Sequence, residues 1–303
     1  MTRRLAAIDV GSNTIHLLVA EPDGSGGLRE LRHEVTMPRL GKAVQATGSV
    51  GAEKLAQLVA DVGGMADRAR GMDAAILLLG ATEAMRRAAD REAALAALSE
   101  AAGTMCRLIT PDAEARLSFR GVIGASAGVR SILVADIGGG STECVLGEDG
   151  RIVALGSVPA GSGAVTESWL QSDPPTAEQL RAAAGAVRRL MAQAPDGTPE
   201  TGRVTGGTAN TLPLLLGRGE GTGELDRADL RRCRELLASM PSAEVATVYR
   251  IEPSRARVLA GGVEIVEAVL DRYALDRLGV SHQGLRDGMI LAYLEVGDDW
   301  VEG

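Results

Sequence analysis

Residues Ile132–Leu146 read ILVADIGGGSTECVL. The first six positions are apolar apart from Asp136, the length and composition of a buried strand. Gly138, Gly139 and Gly140 follow, then Ser141, Thr142 and Glu143, then a second apolar run. With no Cβ atoms in the way, backbone N–H groups can approach an anion closely, and the turn can take positive φ. Asp136 and Glu143 flank that turn. Two carboxylates beside a phosphate repel it unless a cation lies between. The stretch therefore points to phosphate together with a hard divalent metal held by Asp136 and Glu143. The competing reading is a glycine-rich hairpin with incidental polar residues.

The pattern has an echo. Leu5–Ala20 reads LAAIDVGSNTIHLLVA, and Asp9-Val10-Gly11 precedes Asp136-Ile137-Gly138 by 127 residues. A strand–Asp–x–Gly–turn–strand unit repeated at domain spacing predicts two related α/β domains. Their turns would clamp a phosphate chain from opposite sides, although chance likeness of two Asp-x-Gly hairpins is the bland alternative. Val204–Thr208 (VTGGT) repeats the strand-then-glycine pattern a third time and adds Gly207 to the phosphate candidates.

A chain of 303 residues has room for two such domains. With one Phe, two Trp and three Tyr, the cores must be built from aliphatic side chains and Met. A net charge of −8 argues against a general polyanion or nucleic-acid binder, so a phosphate-rich ligand needs a local basic groove. Cys106, Cys144 and Cys233 are odd in number and far apart, which argues against a disulfide framework and against structural zinc. No stretch resembles a signal peptide or a membrane span, and the expectation is a cytoplasmic protein.

Strands and helices alternate along the chain, the mark of an α/β fold. Expected strands include 5–10, 14–20, 28–37, 74–79, 106–109, 151–158 and 277–281. Expected helices include 51–70, one from about Asp90, 161–170, 176–193, 226–239, 243–249, 255–273 with a break at Gly261-Gly262, and 284–294. Thr110 and Pro111 form a helix start, and Thr176 with Gln179 a capping box. Gly121–Gly128 is the candidate hinge. Glu114, in the first turn after Pro111, reads locally as an acid favouring the helix dipole. His16 reads as a hydrogen-bonded strand histidine more readily than as a catalytic one.

Taken together, these motifs resemble the exopolyphosphatase / guanosine pentaphosphate phosphohydrolase (Ppx/GppA) family, over nearly the whole chain. The resemblance implies two duplicated actin-like (ribonuclease H-like) α/β domains, about 1–125 and 126–287, with an interdomain cleft and a final helix, about 288–303, packed back on the first. Asp9-Val10-Gly11-Ser12-Asn13-Thr14 is similar to the family's first phosphate loop, giving Asp9, Gly11, Ser12 and Asn13 as phosphate-binding. Ala81-Thr82-Glu83-Ala84-Met85-Arg86 is similar to its Thr-Ser-Ala-x-Arg element, with Arg86 at the phosphate-binding arginine. Glu114-Ala115-Arg116-Leu117 matches Glu-Ala-Arg-Leu and puts Glu114 at the catalytic glutamate. Asp136–Glu143 matches the second phosphate loop without a change, and Gly284-Leu285-Arg286-Asp287-Gly288 resembles the C-terminal Gly-Leu-Arg element. The sequence departs from the pattern in places: Glu83 replaces a small or polar residue, Thr110-Pro111 stands in place of Ser-Gly and Ala113 in place of a second acid before Glu114, and Arg257 replaces the acid of an Arg-Ala-Asp element.

The activity implied is release of terminal orthophosphate from inorganic polyphosphate or guanosine pentaphosphate, with Mg2+ (or Mn2+) as cofactor and a homodimer as one assembly to consider. Glu114 would ready a water, Arg86 would grip phosphate, and Ser141 would donate to a phosphate oxygen. The alternatives are a kinase or ATPase of the same superfamily and a non-catalytic sensor of polyphosphate or alarmone.

Overall fold

The computed structural model describes residues 3–124 and 130–301. Along the chain run β1 (Leu5–Val10), β2 (Ile15–Pro22), β3 (Leu28–Thr36), α1 (Leu40–Thr47), α2 (Ala52–Gly71), β4 (Ile76–Ala81), α3 (Glu83–Arg87), α4 (Arg91–Ala102), β5 (Cys106–Leu108) and α5 (Pro111–Ile123). Then come β6 (Ser131–Ile137), β7 (Thr142–Glu148), β8 (Arg151–Val158), α6 (Ser162–Trp169), α7 (Ala177–Met191), β9 (Thr201–Thr205) and α8 (Gly207–Leu215). The rest is β10 (Glu224–Asp226), α9 (Arg227–Ser239), α10 (Ser242–Tyr249), α11 (Pro253–Arg272), β11 (Arg277–Val280) and α12 (Leu285–Val296).

The chain divides into two compact units, Met1–Ala127 with Gln283–Gly303, and Gly128–His282. The second boundary lies before α12 rather than at 287. The reason is apolar: Leu285 and Met289 join Leu5, Ala7, Leu78, Ala113 and Leu117 in one core.

In unit 1 the described strands form one sheet in the order β3-β2-β1-β4-β5. β1 pairs antiparallel with β2 and parallel with β4. Side chains alternate across β1. Ala6, Ile8 and Val10 pack with Leu58, Val62 and Met65 of α2, while Leu5 and Ala7 pack with α5 and α12. Asp9 therefore falls on the face that α5 and α12 cover. Unit 2 repeats the plan. Its described strands run β10-β11-β9-β6-β7-β8, with β6, β7 and β8 an antiparallel meander and β9 and β11 parallel to β6.

Two readings of glycine require correction. The candidate hinge begins inside a helix, since Gly121 belongs to the last turn of α5; 125–128 lie outside the described residues. A Cβ on Gly121 would overlap the Gly284 carbonyl, and one on Gly288 the Leu117 carbonyl. These glycines serve the close crossing of α5 and α12. Gly261 and Gly262 do not interrupt α11 either, which runs unbroken. They let it approach Ser162 and Thr208. Helix α1 was not anticipated, because it is only eight residues long and starts after a left-handed Arg39. Asp90 stands where a helix start was expected, but its carboxylate accepts from the amides of Gly51 (3.0 Å) and Val50 (2.7 Å) at the start of α2. Those hydrogen bonds hold its carboxyl below the usual value.

Candidate active site

Both glycine turns are built alike. The amide of the Asp-x-Gly glycine donates to the carbonyl three residues on: Gly11 to Thr14 at 2.9 Å, and Gly138 to Ser141 at 3.0 Å. Neither glycine is left-handed, so the positive φ open to a glycine turn is not used at either. Both sit in tight surroundings: a Cβ would stand 3.1 Å from the Thr14 oxygen or 3.2 Å from the Ser141 oxygen. Positive φ is found instead at Gly206 (94°), just before α8.

The start of the next helix ties down each turn's carbonyls. Arg39 and Gly41 amides donate to Asn13 (3.1 Å) and Ser12 (2.7 Å). In unit 2, Gly161, Ser162 and Ala164 donate to Gly140 (3.1 Å), Gly138 (3.0 Å) and Gly139 (3.0 Å). With the carbonyls fixed, the amides of Ser12, Asn13, Gly139 and Gly140 lie outside the turns' own hydrogen bonds, as a nest for phosphoryl oxygens requires. The Gly11 and Gly138 amides close their turns and are not available for that role.

Cross-strand register places the carboxylates. Asp136 is directly opposite Glu143, Thr205 lies beside Asp136 on β9, and Ser157 lies opposite Glu143 on β8. Directly paired residues share a face, so four oxygen-bearing side chains form one row across four strands. Glu143 is only 2% exposed, and it accepts from Ser157 Oγ at 2.7 Å. Among the described residues, no group of three or more His, Cys, Asp and Glu side chains gathers as a metal site. Two carboxylates with hydroxyl neighbours match a cation such as Mg2+, which keeps much of its water shell.

In unit 1 two expected residues meet. Arg86 Nη1 donates to Glu114 Oε2 at 2.8 Å and to the Ile109 carbonyl at 2.6 Å. The side chains are 17% and 12% exposed. Helix α5 sets Glu114 in place: Thr110 Oγ1 accepts from the Ala113 amide at 3.2 Å, and the Glu114 amide donates to the Thr110 carbonyl at 2.9 Å. Ala113 is buried in the core with Leu117, so the position that carries a second acid in the pattern is an apolar packing position here.

Several features escaped sequence reasoning. Ser12 Oγ donates to Glu83 Oε2 at 2.6 Å. The Arg255 guanidinium lies against Gly207, where any Cβ would overlap it. Burial pulls its pKa below the usual value, opposed by Glu252 and Glu220. Arg257, one of the departures from the family pattern, donates to the Leu170 carbonyl at the end of α6. His16, by contrast, is the hydrogen-bonded strand histidine expected: its Nε2 lies 2.8 Å from Thr14 Oγ1, and its Nδ1 lies 3.2 Å from His33 Nε2. Ser157 opposite Glu143 was recoverable in principle from strand register; the Ser12–Glu83 bond and Arg255 were not, because each joins elements far apart in sequence.

The sequence model of the Ppx/GppA phosphatase family matches residues 18–296. The chain belongs to that family. Among its relatives, exopolyphosphatase 2 of Mycobacterium tuberculosis is 33% identical over 314 residues, covering 95% of this chain and 98% of the relative. Exopolyphosphatase 1 of Mycobacterium bovis is 29% identical, with coverage of 96% and 88%. The solved Ppx/GppA enzyme of Aquifex aeolicus superposes with a TM-score of 0.80 at 26% identity, covering 96% of this chain and all of that one. The fold of this Ppx/GppA protein is accordingly the duplicated actin-like α/β fold. Among its described residues, no helix is long and apolar enough to cross a membrane.

Proposed function

We propose that this Ppx/GppA protein is an exopolyphosphatase that releases terminal orthophosphate from inorganic polyphosphate, with guanosine pentaphosphate as a second substrate to be tested. The observation that carries the reading is the Arg86–Glu114 pair at 2.8 Å in a chain that also holds two phosphate turns of one geometry. Phosphoryl transfer needs positioning and charge neutralisation more than covalent chemistry. The amides of Ser12, Asn13, Gly139 and Gly140 take phosphoryl oxygens, Ser141 donates a hydroxyl, and Gly207 lets Arg255 lie beside the third turn. Asp9 flanks the first turn as Asp136 flanks the second. Arg86 grips phosphate while orienting the Glu114 carboxylate. Glu114 takes a proton from water as the water oxygen bonds to phosphorus and the bridging oxygen leaves with the shortened chain. Asp136 and Glu143 would hold Mg2+ (or Mn2+), which supplies neutralisation of phosphate charge when bound.

The test is orthophosphate release from short polyphosphate, long polyphosphate and guanosine pentaphosphate, with and without acceptor alcohols. Release to water from polyphosphate supports the reading. Transfer only to an acceptor would make the protein a kinase, and tight binding without release a sensor.

A further inference from the structure

Glu83 stands where the family pattern has a small or polar residue, and its carboxylate is not in solvent at large. Ser12 Oγ donates to one of its oxygens at 2.6 Å, and Arg87 Nη1 to the other at 2.9 Å. Ser12 is 7% exposed and the Glu83 side chain 17%. A hydroxyl and a guanidinium are two of the groups a protein uses to hold a phosphoryl group. Both are turned on an internal carboxylate.

Resting on the exopolyphosphatase reading above, we propose that Glu83 is a specificity-determining residue. Its carboxylate occupies the anion position of the first phosphate turn and sets the protein against uncomplexed anions. Orthophosphate, the product, must displace Glu83 from Ser12 to enter and gains little by doing so. A polyphosphate whose charge is reduced by divalent cations meets less repulsion and offers several oxygens to the same turn. The carboxylate thus separates substrate from product by charge density, and it makes affinity depend on divalent cation more steeply than in a turn without an acid.

The assignment is tested with Glu83→Ser and Glu83→Gln in the full chain. Removing one negative charge from a half-screened site is expected to lower KM for short polyphosphate about fivefold to tenfold. Inhibition by orthophosphate should tighten by a similar factor, and the free Mg2+ giving half-maximal KM effect should fall. Orthophosphate binding measured by calorimetry, in the absence of turnover, should strengthen in the same order. A packing role predicts instead a lower melting temperature with weaker binding. The proposal is overturned if both variants keep KM and orthophosphate inhibition within twofold of the parent, or if binding weakens. Failure of the underlying reading looks different: the parent protein itself would release no orthophosphate from polyphosphate.

Discussion

Glu114→Gln separates a water-activating glutamate from a structural partner of Arg86. Gln is nearly isosteric, and its amide oxygen can still accept from Arg86 Nη1, now 2.8 Å from Glu114 Oε2. Arg86 keeps its second acceptor, the Ile109 carbonyl at 2.6 Å. The structural loss is therefore one charge in a pair whose side chains are 17% and 12% exposed. A charged hydrogen bond at such a site is worth about 1–3 kcal/mol. Melting temperature should fall by a few degrees, since 1 kcal/mol moves a domain of this size by roughly 2–4 °C. Loss of a general base costs far more in rate, about 10²–10⁴ in kcat, or roughly 3–5 kcal/mol of barrier. The assay is steady-state orthophosphate release from short polyphosphate, with binding by calorimetry and melting by scanning calorimetry on the same samples. The expected pattern is kcat down about a thousandfold, binding within a few fold, and a small loss of stability. If kcat stays within fivefold of the parent while the melting temperature drops, Glu114 only braces Arg86 and the water must be activated elsewhere.

Gly288→Ala places a methyl on the Leu117 carbonyl at the crossing of α5 and α12; the overpacking should cost about 1–3 kcal/mol or more, read as a lowered urea midpoint. Asp136→Asn and Glu143→Gln should each raise the Mg2+ concentration needed for half-maximal orthophosphate release about tenfold or more, whereas equal Mg2+ dependence in parent and variants would remove these carboxylates from a metal role. Burial pushes the thiols of Cys106, Cys144 and Cys233 up from 9.0 to about 12. A thiol whose folded pKa lies above its unfolded value contributes stability that is complete below the unfolded value and is lost as pH rises. Stability should therefore decline between pH 9 and about 12, and a thiol reagent should label the native protein only after denaturation.

The sequence disclosed the parts of this protein that are local. Each glycine turn sits between two strands that pair with each other, so Asp136, Glu143, Gly11 and Gly138 could be placed from a window of about fifteen residues. The capping box of α7 was equally local, and it forms between Thr176 and Gln179. What was illegible depends on elements distant in the chain. Arg255 reaches Gly207 because α11 crosses α8, and the Ser12–Glu83 bond needs the parallel pairing of β1 with β4, which brings α3 to the first turn. The glycines misled for a related reason. A glycine read alone signals a turn or hinge, but Gly121, Gly261 and Gly262 are there because a backbone or side chain from elsewhere comes too close for a Cβ.

Duplication lets one backbone carry two different rows of side chains. Asp9 corresponds to Asp136, and the residue directly opposite each is His16 in unit 1 and Glu143 in unit 2. The next positions along the rows are Gly80 and Val35 in unit 1, against Thr205 and Ser157 in unit 2. The turns themselves are the same, closed by the same amide-to-carbonyl bond. Only the row beside the turn has changed. In unit 2 it presents hard oxygen donors, two of them carboxylates, which suit a hydrated divalent cation. In unit 1 it presents one carboxylate, an imidazole engaged with Thr14 and His33, and two positions without a polar side chain. A hard cation matches the second row and not the first, so the proposed asymmetry of charge handling would arise from side chains on neighbouring strands, with no change in the glycine turns.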